Sequence, residues 1–323
     1  MTALAETIAI QGRVLRHVLD LDLGPALERV EGAERVWLVG TGTSEHASCL
    51  GAAMLATAGL DARASSAAGF VAAPPRLDPG DALVVISHTT ETAFARRVRE
   101  DALAADVRLL TITGEGKGWP EAIEAAPPER SETYTASYLA ALLVFARLTA
   151  ALGGAEWGGD ELAALPGLVE GAGAEPLAVE APPPRLTALF GAGPAAVTAR
   201  EGALKLREAS RVLAEGFEAE YLLHGSAVPL NRDDHMIALD PVGDPSGLTS
   251  GIADAAESEG IVVIRLDPPA DLHPLLAQLP LTVPLQVLAS RWADRQEIDP
   301  DRVILANWAA EHLWTAGAPQ KTS

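Results

Sequence analysis

Two stretches of this chain open alike. VWLVGTGTS (36–44) is an apolar run that breaks into a turn at Gly40 and Gly42, and LTALFGAGPA (186–195) repeats it with Gly191 and Gly193, 151 positions later. Each runs on into residues with helical spacing. An apolar strand that turns directly into a helix is the unit of a parallel sheet, because parallel neighbours need a crossover, usually helical, between them. The order of the other elements repeats as well. DALVVISHTTET (81–92) and VRLLTITG (107–114) follow in the first half, and HMIALDPVGD (235–244) and IVVIRLD (261–267) in the second. TYTASYLAALLVFARLTAALG and LTVPLQVLASRWAD supply a closing helix to each half. The pattern predicts an α/β protein of two similar tandem domains, each a doubly wound parallel sheet flanked by helices. The expected boundaries are 1–153 for the first domain, led by an amphipathic helical pattern over roughly 3–30. A connector rich in Gly, Pro and Glu, with a short helix, is expected over 154–184, and the second domain and tail over 185–323.

Composition narrows the partners. Hydrophobic residues make up 48% of the 323, enough for two buried cores and too many for a disordered chain. A net charge of −20 leaves no basic surface for nucleic acid phosphates or anionic lipid, so neither partner is expected. Cys49 is the one cysteine, so no intramolecular disulfide forms. The opening MTALAETIAIQGRVLRHVLD has no basic patch leading an apolar stretch, and no run is long and apolar enough to span a bilayer. A reduced, cytoplasmic setting is expected. The seven histidines are scattered, without ligand spacing to Asp or Glu, so no metal is expected.

In open parallel sheets, ligands bind beyond the carboxyl ends of the strands. Two polar turns of the first half belong there: Thr41-Gly42-Thr43-Ser44 and Ser87-His88-Thr89-Thr90-Glu91-Thr92. Hydroxyls and free N–H groups at helix starts suit a phosphate. Thr43, Ser44, Thr89 and Thr92 suit helix capping as well; two such turns at the ends of neighbouring strands favour the ligand. Neither turn is a GxGxxG fingerprint or a nucleotide-binding P-loop, and no cofactor is expected.

Glu201, Lys205 and Glu208 fall four and then three residues apart in TAREGALKLREAS, on one face of a helix that should start after Gly193 and run past Ser210. Such a stripe is commonly a solvated face with i,i+4 pairing. Crowded by Ala203, Leu204, Leu206 and Ala209, one of its carboxylates would instead have a raised pKa and carry protons. His224, beside Gly225, reads equally as a structural histidine. The pattern alone leaves both questions open.

The run EGALKLREAS followed by AEGFEAEYLLHG resembles the second half of the sugar isomerase (SIS) domain family, in particular the isomerase portion of glutamine–fructose-6-phosphate aminotransferase. Its motif reads EGALKLKE-(I/A)-S, then AE and KHG, and Glu201 to His224 fit without a gap. GTGTSEHA resembles the family's CGTS-x-HA, SHTTET its phosphate loop SQSGET, LTVPLQVLA its YTVPLQLLA, and ETIAIQGRVL the EI-x-EQP opening of stand-alone members. The resemblance implies two five-stranded SIS domains and a sugar phosphate bound across a homodimer interface. Gly42, Thr43, Ser44, Ser87, His88, Thr89 and Thr92 would lie at the phosphate, with His88 equally placed as a surface residue. Glu208 would move a proton between C1 and C2, Glu201 and Lys205 would orient hydroxyls and tune Glu208, and His224, from the neighbouring subunit, would open the ring.

The chain departs from the family in three places. No glutaminase segment is expected ahead of the SIS pair, which favours a deaminase, a deglycase or a plain isomerase over aminotransfer. The family's RNLAKSVTVE loop, whose Lys meets the substrate, aligns with ILANWAAEHLWTAG, so that Asn307 is matched, Ala310 takes the Lys position and Lys321 is the only later lysine. SHTTET carries His88 and Thr90 for Gln and Gly, and Glu132 takes the place of a family Lys. The reading is an isomerase or deaminase working through an enediol or enolamine. The alternative is a non-catalytic sugar-phosphate sensor that regulates a partner.

Overall fold

Both glycine turns end an interior strand of a sheet, and they share one backbone conformation. Gly42 has φ 59°, ψ −123° and Gly193 has φ 55°, ψ −124°, a region closed to residues with a Cβ. The preceding glycines also correspond. A Cβ on Gly40 would lie 2.4 Å from the Ser44 carbonyl, and one on Gly191 would lie 2.7 Å from the Ala195 Cβ. The repeat in the sequence is therefore a repeat of geometry: in each turn one glycine lets the helix fold back close to its strand and the next supplies the left-handed bend.

The computed structural model describes residues 1–174, 177–240, 242–269 and 272–319. Its contacts fall into two units. One contains Arg13–Glu129, Ala136–Ala164 and the segment from Ile304; the other contains Met1–Gly12, Arg130–Thr135 and Leu165–Val303.

The first of these is built on five parallel strands: β1 (Val36–Gly40), β2 (Ala62–Ser66), β3 (Ala82–Ile86), β4 (Arg108–Gly114) and β5 (Ala122–Ala126), in the order β2-β1-β3-β4-β5. Direction along the sheet reverses between β1 and β3, which makes the space beyond their carboxyl ends the topological switch point. The register Val39↔Val85 brings the turns after β1 and β3 side by side there. Val39, Leu83 and Val85 pack with Phe70, Ala95 and Val98 on one face. The helices Thr43–Thr57 and Ala136–Ala151 meet at Gly51, where a Cβ would come within 2.5 Å of the Phe145 ring.

The other unit holds four parallel strands, β6 (Thr187–Gly191), β7 (Ala214–Glu218), β8 (His235–Leu239) and β9 (Val262–Leu266), in the order β7-β6-β8-β9. The resemblance implied five here; among the described residues there are four. After Leu266 the chain runs through Pro268 and Pro269, which cannot donate to a ladder, and it is helical again from Pro274. The helices Pro194–Ser210 and Pro274–Arg295 cover one face of the sheet, packing Ala199, Ala203, Leu206, Leu285, Leu288 and Trp292 against Leu189, Ile237 and Leu239. A Cβ on Gly216 would lie 2.4 Å from the Arg200 Cα, so this glycine sets how close the Pro194–Ser210 helix comes to β7.

Three helix expectations are corrected. The opening pattern over 3–30 forms three helices, Ala3–Ala9, Gln11–Asp20 and Gly24–Val30, the last started by Pro25. The helix after Gly193 stops at Ser210 rather than running past it, because Arg211 turns left-handed at φ 54°. The helix in the connector is long, Gly159–Ala174. Among the described residues, no helix is long and apolar enough to cross a membrane.

Candidate active site

At the switch point of the five-stranded sheet, Ser87 is 2% exposed, and its Oγ has no hydrogen-bond partner among the described residues. Leaving a buried hydroxyl unpaired costs about 1–3 kcal/mol, a cost that a bound oxyanion would remove. The turn folds back on Ser87 as the Thr90 N–H donates to its carbonyl at 3.3 Å. Thr89 Oγ1 accepts the Glu91 N–H at 3.2 Å. Thr90 takes φ 63°, the left-handed geometry for which a glycine is the ordinary choice, so the loop keeps that shape with a β-branched residue in it. The capping alternative fits poorly. Gly42 and Thr92 stand at the N-cap positions of Thr43–Thr57 and Ala93–Ala104, and neither helix has a side-chain cap hydrogen bond. The Ser44 N–H goes to the Thr41 carbonyl, and the Glu45 and His46 N–H groups to that of Gly42.

His88 is directed elsewhere. Its carbonyl accepts the Gly114 N–H at 3.0 Å, and its ring lies against Gly114, where a Cβ would be 2.8 Å from Cε1. Nε2 accepts the Glu129 N–H at 3.4 Å. Burial holds this imidazole below its ordinary pKa, with the Glu129 charge opposing and that of Lys117 assisting. It props the turn from the side of β4.

In the unit built on the four-stranded sheet, the charged stripe is not a solvated face. Glu201 and Lys205 have no exposed surface. Lys205 Nζ lies 2.5 Å from Glu208 Oε2 and 3.5 Å from Glu201 Oε1, so one ammonium bridges two carboxylates. Glu208 keeps about a fifth of its side chain exposed. Burial pushes its carboxyl above the ordinary range; Lys205 opposes this, and the Glu201 charge adds to it. A carboxyl of this kind, with a fixed cation beside it and a path to solvent, is suited to shuttling protons.

His224 stands apart from it within the chain. Arg207 Nη1 donates to the Ala214 carbonyl at 2.6 Å, which places the Glu208 end of its helix at the amino end of β7. His224 comes after the carboxyl end of that strand, in a break where Gly225 has φ 111°. A strand of five residues spans about 17 Å, so one copy of the chain does not bring the two together. The His224 ring is 73% exposed, with Nε2 3.9 Å from Glu220 Oε1.

Comparison with known proteins places this geometry. The chain is 29% identical over 317 residues to a glutamine–fructose-6-phosphate aminotransferase (isomerizing) of Gloeobacter violaceus, covering 87% of this chain and 52% of that protein. It thus spans about half the length of the curated relatives it matches, and the matched half is their isomerase portion. Among solved structures, a glucosamine-6-phosphate deaminase from Thermotoga maritima superposes with a TM-score of 0.78 at 18% identity, over 95% of this chain and 99% of that one. A tagatose-6-phosphate ketose/aldose isomerase from Escherichia coli gives 0.76 at 18%, over 96% and 97%. The chain carries the sugar isomerase fold. No protein-family model matches it.

Two segments depart from the SIS motifs quoted above, and both have structural work in this chain. Glu132 Oε2 accepts the Val303 N–H at 2.7 Å, and Thr133 Oγ1 donates to the Pro300 carbonyl at 2.9 Å. The acidic residue is therefore committed to fixing the segment before the tail. In the tail, Asn307 lies in the short helix Ala306–Ala309, and Ala310 links it to Glu311–Thr315; Lys321 lies outside the described residues. Trp308 and Trp314, absent from the motif match, stand exposed on this tail. Their signal was two indoles within ILANWAAEHLW.

Proposed function

We propose that the chain is an enzyme of sugar-phosphate or amino-sugar-phosphate metabolism that transfers a proton between C1 and C2 of the open-chain sugar, as an isomerase, deaminase or deglycase. The observation that carries this is the buried Lys205 between Glu201 and Glu208, with Glu208 raised in pKa and open to solvent. A binding protein has no need of a buried charge triad of this cost. The relatives named above, an isomerizing aminotransferase, a deaminase and an isomerase, support the same class.

In this reading Gly42, Thr43, Ser44, Ser87, Thr89 and Thr92 hold the phosphate, and His88 steadies the loop. Glu208 as carboxylate takes the C2 proton. The C–H electrons form the C1=C2 bond of an enediol or enolamine while the C1 oxygen gains a proton. Return of the proton from Glu208 to C1 gives the C2 ketose, or an imine where C2 carries nitrogen; water then adds to the imine and ammonium leaves. Lys205 steadies charge at the reacting oxygen, and Glu201 holds Lys205. His224 serves the ring oxygen from a second copy of the chain, which makes the active enzyme a homodimer.

The test is proton NMR in deuterated water with a panel of hexose and amino-hexose 6-phosphates. The expected result is loss of the C1 or C2 proton signal for one compound, slowed about 10²- to 10⁴-fold in Glu208→Gln. Exchange unaffected by that substitution would remove Glu208 from its role. Thermal stabilisation by a compound with no exchange at all would make the chain a sensor.

A further inference from the structure

Four apolar side chains stand in water on one short stretch of the tail: Leu305 at 36% exposure, Trp308 at 76%, Leu313 at 48% and Trp314 at 54%. The stretch has internal order, since Trp314 Nε1 donates to the Trp308 carbonyl at 2.6 Å. It is also anchored. Gly317, at φ 77°, sits directly on the Phe94 ring, so closely that a Cβ there would come within 2.2 Å of Cε1. Phe94 lies in the first turn of Ala93–Ala104, the helix that starts immediately after Thr92. The tail is therefore tied down two residues beyond the turn that presents Ser87, Thr89 and Thr92, within one unit of the fold. Trp314 is three residues from that anchor, at most about 11 Å of chain.

We propose that Trp308 and Trp314 form the wall that receives the uncharged body of the sugar whose phosphate lies at the Ser87–Thr92 turn, and so select the sugar. The inference rests on the phosphate reading of that turn. An indole face is apolar, broad and rigid, and its complement is the C–H face of a sugar; its N–H and the neighbouring backbone suit hydroxyls. The phosphate end is served by hydroxyls and N–H groups, and the indoles serve the rest. The size of the patch also fits. Two indoles exposed to this degree and two leucines offer about 400 Å², about half of the ~800 Å² per partner in a stable protein interface and within the size of functional patches on monomers. A small ligand is the occupant this area suits. With Ala310 where the resembling loop has lysine, the tail recognises its ligand by contact rather than charge.

The experiment measures affinity by calorimetry for inorganic phosphate and for glucose, fructose and glucosamine 6-phosphates, in the full chain and in Ser87→Ala, Trp308→Ala and Trp314→Ala. The two exposed indoles can be removed without touching a core. The expected result is that either Trp variant weakens the best hexose phosphate about five- to tenfold and leaves inorganic phosphate unchanged, while Ser87→Ala weakens both. Phosphate binding sensitive to Ser87, with a hexose preference indifferent to both indoles, overturns the wall and keeps the phosphate site. Phosphate binding indifferent to Ser87 overturns the phosphate reading and the wall with it. Dissociation of a dimer in the Trp variants, seen by sedimentation, assigns the patch to a second copy and overturns the proposal.

Discussion

The ammonium of Lys205 lies 2.5 Å from the carboxylate of Glu208, and no part of Lys205 reaches solvent. Helix spacing brings the two together, and burial decides the consequence. At a surface this i,i+3 pair would contribute a few tenths of a kcal/mol. Here the lysine is sealed from water together with its two carboxylates, and the contact fixes where Glu208 stands.

The raised pKa of Glu208 gives stability a defined pH dependence. Folding favours the neutral carboxyl, so the associated stability is complete below the ordinary value of 4.5 and is lost as pH rises through the raised value. Glu208→Gln keeps the shape and removes the ionisation. It is expected to melt with the wild type near pH 4 and above it at pH 8. Calorimetric melting curves across that range check this; a variant less stable at pH 8 would mean that the Lys205 attraction outweighs burial.

Thr90 holds a second testable cost. A β-branched residue at φ 63° is strained by about 1–2 kcal/mol relative to glycine, partly offset by glycine's freedom in the unfolded chain. Thr90→Gly is expected to stabilise the protein by about 1 kcal/mol, raising Tm by roughly 2–4 °C. An unchanged or lower Tm would show that the Thr90 side chain supports the turn by contacts that offset its strain.

The sequence made the central strands and both glycine turns legible, because β3 is apolar throughout, β8 is apolar after His235, and the glycines are forced by geometry. It hid the edges. Strand β2 reads ARASS, β5 AIEAA and β7 AEGFE; half-exposed edge strands lack the continuous apolar run by which buried parallel strands are recognised. The charged stripe was visible as a stripe, but the same i,i+4,i+7 spacing describes a wet face and a buried one. Only the packing of the helix shows that Glu201 and Lys205 are sealed. His88 was legible as a loop residue and not as a prop on Gly114, since that contact joins segments distant in sequence.

The separation of Glu208 and His224 by the length of β7 leads to a prediction about assembly. Neither residue can reach the other within a chain, so a site that uses both takes one from each copy, and a closed two-fold dimer supplies two such sites. Glu208→Gln and His224→Ala should each lower turnover about 10²-fold or more alone. Mixed in equal amounts through an unfolding and refolding cycle, half of the dimers are heterodimers, in which one site carries both substitutions and the other carries neither. The mixture should recover roughly a quarter of wild-type activity. Recovery of that size, from two preparations that are separately almost inactive, requires the residues to act across copies. No recovery, with heterodimers demonstrated by differential tagging, would place His224 outside the reaction of Glu208 and leave its exposed ring to another role.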